Sequence, residues 1–318
     1  MREEARAGEA SATAGRRALV LGGTVGLGLG ALGLWSAAPA SALVDPGARR
    51  IWSPSLDRGD PVSSAGPRGV LVRAHDTRAE LTAALDRYMA TRVGVAGLSV
   101  RDNRNGRSYA WRPRTAQTHS AIKVLILVAT LKVAQDRGRE LTATQKAQCS
   151  RMIRYSDNDA TDALMVAVGA PYCQRVANAL GMTSTTVLGG TGFRSATWWG
   201  HSTSTTRDLL VLEDSLLRTS YLTHSRRAYA RGLMASVTST QTWGLGDGLP
   251  SDVHVELKNG WGPRTDGYRL NGLGHVNGRG RSYQMSFLST TKGGYSYGQT
   301  TVNRLSRIVF DELAYPLN

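Results

Sequence analysis

The chain has 318 residues, 39 Lys or Arg against 24 Asp or Glu, and a net charge of +15. That length can bury a large core in one or two domains, and the sequence carries no internal repeat. The basic residues are mostly Arg and are scattered rather than gathered into a stripe with interleaved aromatics. This disfavours a nucleic-acid partner and suits a solvated surface attracted to anionic cell-wall polymer.

Arg16-Arg17, an apolar run from Ala18 to Trp35 and then Ala40-Ser41-Ala42 follow the order of an export signal with an A-x-A cleavage site. The run is short and holds six glycines, which makes it a poor membrane span. Residues 1–42 are therefore expected to be a signal peptide, Tat-like or Sec, and the mature protein to be secreted and associated with the cell wall. Residues 43–70, rich in Pro, Gly, Ser and Arg, are expected to be a disordered linker.

From there the chain should fold. Asp76-Thr77 can cap a helix to about Thr91, with Leu81, Ala84, Leu85 and Met89 on one face. Val93 to Val100 patterns as a strand, and Asn103 to Gly106 turns it into Ser108 to Trp111. A mainly helical stretch, about 113–249, follows. Then come strand-like runs Val253–Leu257, Tyr268–Val276 and Ser282–Leu288, and an amphipathic helix over about 300–313. This order predicts an α+β (mixed α/β) fold, an antiparallel sheet flanked by helices with a helical domain inserted. Cys149 and Cys173 are the only cysteines. In an exported chain they are expected to pair as a disulfide, with two buried thiols as the alternative.

Three short motifs carry chemistry. Ser120-Ala121-Ile122-Lys123 precedes the apolar run Val124 to Val128, which places Ser120 at a helix N-terminus and Lys123 one turn away. A serine hydroxyl needs a neighbouring base, and a lysine serves when burial and a second cation lower its pKa. Ser156-Asp157-Asn158 lies between two helices. Ser156 can relay a proton, Asn158 can bond the lysine or a substrate amide, and Asp157 suits an N-cap. Lys258-Asn259-Gly260, on a strand, can hold a carboxylate through Lys258 and the Asn259 amide, while Gly260 lets a substrate backbone approach closely. The N–H groups of Trp261 and Ser120 can form an oxyanion hole, worth about 3–4 kcal/mol per donor.

With 27 Ser and 5 Lys, S-x-x-K alone is weak: chance supplies roughly 0.4 matches. Ser289-Thr290-Thr291-Lys292 is such a second match, in a strand-like stretch with no S-D-N after it. The ordered set of three is what discriminates. No metal or organic cofactor is called for, because no His/Cys cluster or phosphate-binding loop occurs.

Together the motifs resemble those of the class A β-lactamase and penicillin-recognising serine hydrolase family, whose mark is S-x-x-K, S-D-N and K-T-G. The likeness runs over about residues 71–315, and Thr205-Thr206-Arg207-Asp208 adds to it. The resemblance implies a β-lactamase/transpeptidase-like fold with a five-stranded sheet and a site at its junction with the helical domain. It also implies acylation at Ser120, with Lys123 as base, Ser156 as relay and Lys258 as carboxylate anchor.

The chain departs from the family in three places. Asn259 replaces Thr, the Ser120–Ser156 interval is short, which leaves the cleft more open, and Gly181 to Arg207 contains no Asp or Glu. The family's efficient hydrolases carry a water-activating Glu in that loop. His201 is the titratable base there, more suited to a surface or packing contact, and Trp198-Trp199 suits core packing or a pocket wall. Arg269 suits an exposed strand position or a carboxylate contact. The reading is a monomeric serine hydrolase acting on a small molecule or peptide with a carboxylate. A D,D-peptidase or esterase, or a non-catalytic binding protein of the same fold, are the alternatives.

Overall fold

The computed structural model describes residues 75–318; the expected signal peptide and linker lie outside the described residues. Helix α1 (Thr77–Met89) is capped by Asp76, whose carboxylate accepts the N–H of Ala79. It leads into the hairpin β1 (Gly94–Asp102) and β2 (Ser108–Trp111). A short strand β3 (Thr115–Gln117) and a 3-10 turn, His119–Ile122, open the helical part. That part runs α2 (Lys123–Asp136), α3 (Ala143–Arg154), α4 (Asn158–Val168), α5 (Ala170–Leu180), strand β4 (Thr203–Thr205), α6 (Thr206–Leu217) and α7 (His224–Ala235). The chain closes with β5 (His254–Arg264), β6 (Gly267–Gly278), β7 (Arg281–Thr291) and α8 (Gly294–Glu312).

The sheet is antiparallel with strand order β2-β1-β7-β6-β5, so β5 is an edge. Arg279 and Gly280, both at positive φ (50° and 75°), make the two-residue turn joining β6 to β7. The strands are longer than their apolar runs: β5 continues from Leu257 through Lys258-Asn259-Gly260 to Arg264, paired throughout with β6. The small β3–β4 ladder has too few residues to announce itself in sequence.

Two apolar clusters fill the fold. One, around Leu81, Leu98, Phe287, Val309 and their neighbours, lies between the sheet and helices α1 and α8. The other surrounds α2, whose residues from Lys123 to Leu131 are all buried. A helix apolar on every side must be enclosed, and α3, α4, α5 and α7 all pack against it. Each Leu, Ile or Val so buried contributes about 1.5–3 kcal/mol.

The expected disulfide is not formed: Cys149 on α3 and Cys173 on α5 are free, buried thiols. Each sits in the apolar cluster around α2, where burial pushes the thiols up to about 12. A second buried group lies on α6, where Glu213 has neither oxygen hydrogen-bonded. Burial, with nearby Glu256, pushes its carboxyl up to about 8. Among the described residues no helix is long and apolar enough to cross a membrane.

Candidate active site

The site forms where the 3-10 turn carrying Ser120 presses on edge strand β5. Gly260 makes the contact: a Cβ there would lie 2.4 Å from Thr118 O, 2.5 Å from Ala121 N and 2.8 Å from Ser120 N. Only a glycine lets the two backbones approach so closely. The turn is anchored from behind, where Thr118 donates its N–H and Oγ1–H to Ser202 O at 2.8 and 3.0 Å. Ser120 keeps 8% exposure, whereas Lys123 and Lys258 keep none. The nucleophile candidate is reachable from solvent and the two amines beside it are not.

Those amines converge on Ser156. Its backbone sits at φ +58°, a strained region for a residue with a Cβ. This bend between α3 and α4 turns the hydroxyl inward, 3.2 Å from Lys123 Nζ and 3.1 Å from Lys258 Nζ. A serine hydroxyl has one proton and two lone pairs, so it can pass a proton between the amines. Lys123 Nζ also donates to Ser156 O at 2.6 Å and Asn158 Oδ1 at 2.9 Å. Lys258 Nζ donates to Asn259 O at 2.8 Å and Gln241 Oε1 at 3.3 Å. Asp157 serves as the N-cap of α4, accepting Ala160 N–H at 2.9 Å.

Burial, and then the charge of Lys258, hold Lys123 well below the usual lysine range, against the opposing pull of Asp157 and Asp162. Burial alone brings Lys258 down to about 7. The expectation of a lysine tuned by burial and a second cation therefore has its physical parts in place.

The side chains of Lys123, Ser156, Asn158 and Lys258 are joined by hydrogen bonds, and Gly260 sets β5 against the backbone of the Ser120 turn. The side chain of Asn259 takes no part. Strand alternation turns it to the opposite face of the sheet, where it is fully buried. There its Nδ2 donates to Gln241 O at 2.8 Å and Trp243 O at 2.9 Å. Its amide is thus spent on fixing the segment that presents Gln241 to Lys258, which corrects its expected part in carboxylate binding. The Trp261 ring shares that face, 5.9 Å from Trp243 and 6.3 Å from Tyr295, leaving its backbone beside the Ser120 turn.

His201 makes a packing contact, edge-on to Trp198 at 5.4 Å. Arg269 is not exposed on its strand but paired with Asp266 at 2.9 Å and bonded to Thr290. The second S-x-x-K match is structural: Ser289 lies inside β7, its Oγ–H donating to Leu270 O at 2.6 Å.

Three residues near the site had no motif to reveal them. Gln241 touches Lys258. His119 packs its ring on Gly262; burial pushes its pKa down to about 4, so it is neutral. Asp162, one turn beyond Asn158 on α4, accepts the indole N–H of Trp199 at 2.5 Å. The described residues hold no group of three or more His, Cys, Asp or Glu able to bind a metal ion.

A search of curated proteins by sequence gives no match. Solved structures are similar in fold. A class A beta-lactamase representative from Bacteroides cellulosilyticus superposes with a TM-score of 0.67 at 16% identity, covering 75% of this chain and 99% of that one. A beta-lactamase from Chitinophaga pinensis gives 0.65 at 19% identity, with 75% and 100% covered. A class A beta-lactamase from Mycobacterium abscessus gives 0.64 at 18%, with 74% and 100% covered. The chain thus has the class A β-lactamase fold. The family model described as the beta-lactamase enzyme family matches residues 138–313. With that match spanning more than half of the sequence, the chain belongs to the beta-lactamase enzyme family.

Proposed function

We propose that the protein is an exported active-site-serine hydrolase, acylated through Ser120 by β-lactams or related amides that carry a carboxylate. The observation that carries this reading is the Ser156 hydroxyl standing 3.2 and 3.1 Å from two buried lysine amines beside the Ser120 turn. Ser120 Oγ attacks the carbonyl carbon as its proton passes to the Lys123 amine, whose basicity burial holds well below the usual lysine range. The N–H groups of Ser120 and Trp261 receive the developing oxyanion. The proton then moves through Ser156 to the leaving nitrogen as the C–N bond breaks. Lys258, charged below about pH 7, is enclosed and draws the substrate carboxylate through its field.

Release of the acyl group is slow, because Gly181 to Arg207 supplies no carboxylate to activate water. The same absence favours a second reading, D,D-peptidase or esterase chemistry with β-lactams as inhibitors. Intact-protein mass spectrometry with benzylpenicillin tests the first. An adduct on the wild type and none on Ser120→Ala is expected, persisting for minutes or longer. Fast penicillin consumption with no adduct build-up would overturn slow release. Release of D-Ala from a model peptide would select the second reading.

A further inference from the structure

Lys123 is enclosed on two sides. One side is the polar wall of Ser156 and Asn158. The other is the indole of Trp199, fully buried, with Lys123 Nζ 4.8 Å from its ring centroid. The ring is pinned: its Nε1–H donates to Asp162 Oδ1, and Asp162 Oδ2 accepts Gly192 N–H at 3.0 Å. Trp199 N–H donates to Gly190 O at 3.0 Å. Trp198 packs behind at 4.5 Å, and a Cβ on Gly200 would strike its ring at 2.3 Å. The charged groups facing Lys123 are Lys258 from β5 and Asp157 and Asp162 from α4 and its cap.

We propose that Trp199, held by Asp162, is a positioning residue that keeps Lys123 dry, so that Lys123 acts as a base toward the Ser120 hydroxyl and not toward water. This inference rests on the serine-hydrolase reading above. An indole face attracts an ammonium, but less than the hydration it displaces, so the neutral amine is favoured. Deacylation at this site needs a water beside Lys123. Its oxygen would bond to the ester carbon, its proton would pass to Nζ, and Ser120 Oγ would leave and recover that proton. With the indole centroid 4.8 Å from Nζ, no water fits between ring and amine on that side. An apolar group of one residue thereby speeds the first half-reaction and holds back the second.

The test uses Trp199→Leu, with Trp199→Met keeping more of the packing and Trp199→Phe restoring an aromatic face. Two readouts are taken on the folded protein. One is the pH profile of benzylpenicillin adduct formation and the adduct lifetime. The other, needing no substrate, is the titration of Lys123 by 13Cε shift in lysine-labelled protein, which has only five lysines. Leu and Met are expected to raise the Lys123 pKa by about one unit or more, to move the acid limb of acylation up equally, and to shorten the adduct lifetime about tenfold. Phe should return all three toward wild type. An unchanged Lys123 titration and adduct lifetime in folded Leu and Met variants would overturn the inference while leaving the hydrolase reading intact. No adduct on wild type, with a Lys123 titration that still follows residue 199, would sink the hydrolase reading and the base role with it, leaving only the control of Lys123 protonation by Trp199.

Discussion

Replacing Gly260 with alanine probes the contact on which the whole site depends. The added Cβ would lie 2.4, 2.5 and 2.8 Å from Thr118 O, Ala121 N and Ser120 N, all backbone atoms. Ordinary van der Waals contact begins near 3.4 Å, so the Ser120 turn must retreat from β5 by about 1 Å. Neither side yields easily. Gly260 is paired with Asn271 in the β5–β6 ladder, and Thr118 is tied to Ser202. Overpacking of this kind costs about 1–3 kcal/mol, at about 2–4 °C of Tm per kcal/mol for a domain of this size. A displacement of about 1 Å in a nucleophile costs on the order of 10²-fold in rate. Gly260→Ala should therefore form the benzylpenicillin adduct about 100-fold more slowly, with Tm lowered in circular-dichroism melts. Gly232→Ala on α7, where an added Cβ meets nothing within 4 Å, should stabilise by about 0.5–1 kcal/mol and leave the adduct rate unaltered. Wild-type acylation by Gly260→Ala would refute the argument that this close approach sets the position of Ser120.

Ser156→Ala removes the hydroxyl shared by the two lysines and should slow adduct formation by about 10²–10⁴-fold, read by stopped-flow quench and mass analysis. Lys258 titrates near 7 when folded against 10.5 when exposed, so unfolding takes up a proton between those values. Stability should rise with pH across that window, by up to about 1.4 kcal/mol per unit, and urea unfolding of Lys258→Met should show a shallower rise. Glu213 works in the opposite sense: its folded pKa, about 8 against 4.5, means stability falls as pH rises through that interval. Glu213→Gln should flatten that fall and be more stable than wild type above pH 8 in the same assay. Asn259→Ala leaves the carbonyls of Gln241 and Trp243 without their donor, and should cost about 2–4 kcal/mol in urea midpoints.

The sequence made the two site lysines legible because the proposed chemistry forces their spacing. Ser120 and Lys123 must lie one turn apart, and Ser156-Asp157-Asn158 opens α4, with Asp157 as its N-cap. What it could not convey was geometry without a residue signature. The positive φ of Ser156, which turns its hydroxyl onto both amines, is found at a residue that usually avoids it. Asn259 was readable in principle, since Lys258 and Gly260 facing the cleft put the residue between them on the other face. Motif likeness suggested a substrate contact instead. Cys149 and Cys173 looked like a pair by number, but spacing along a chain says nothing of which sides of α2 their helices occupy. Trp199 carried no motif, because its role depends on Asp162, which is 37 residues away. The strands were predicted in chain order, but the order of strands in the sheet was not, and the apolar run of β5 fell short because polar Lys258 and Asn259 interrupt it inside a fully paired strand.

The unbonded cysteines give the molecule a useful silence. Both thiols are buried and, with pKa values near 12, stay protonated through the physiological range, so they present almost no nucleophile to a maleimide. Reductant should leave the melting curve where it was. A single cysteine introduced at exposed Phe193, next to the Gly192 amide that Asp162 holds, would then take up a fluorophore without background. Such a dye could report, in real time, what the segment over Lys123 does as an acyl group arrives and departs.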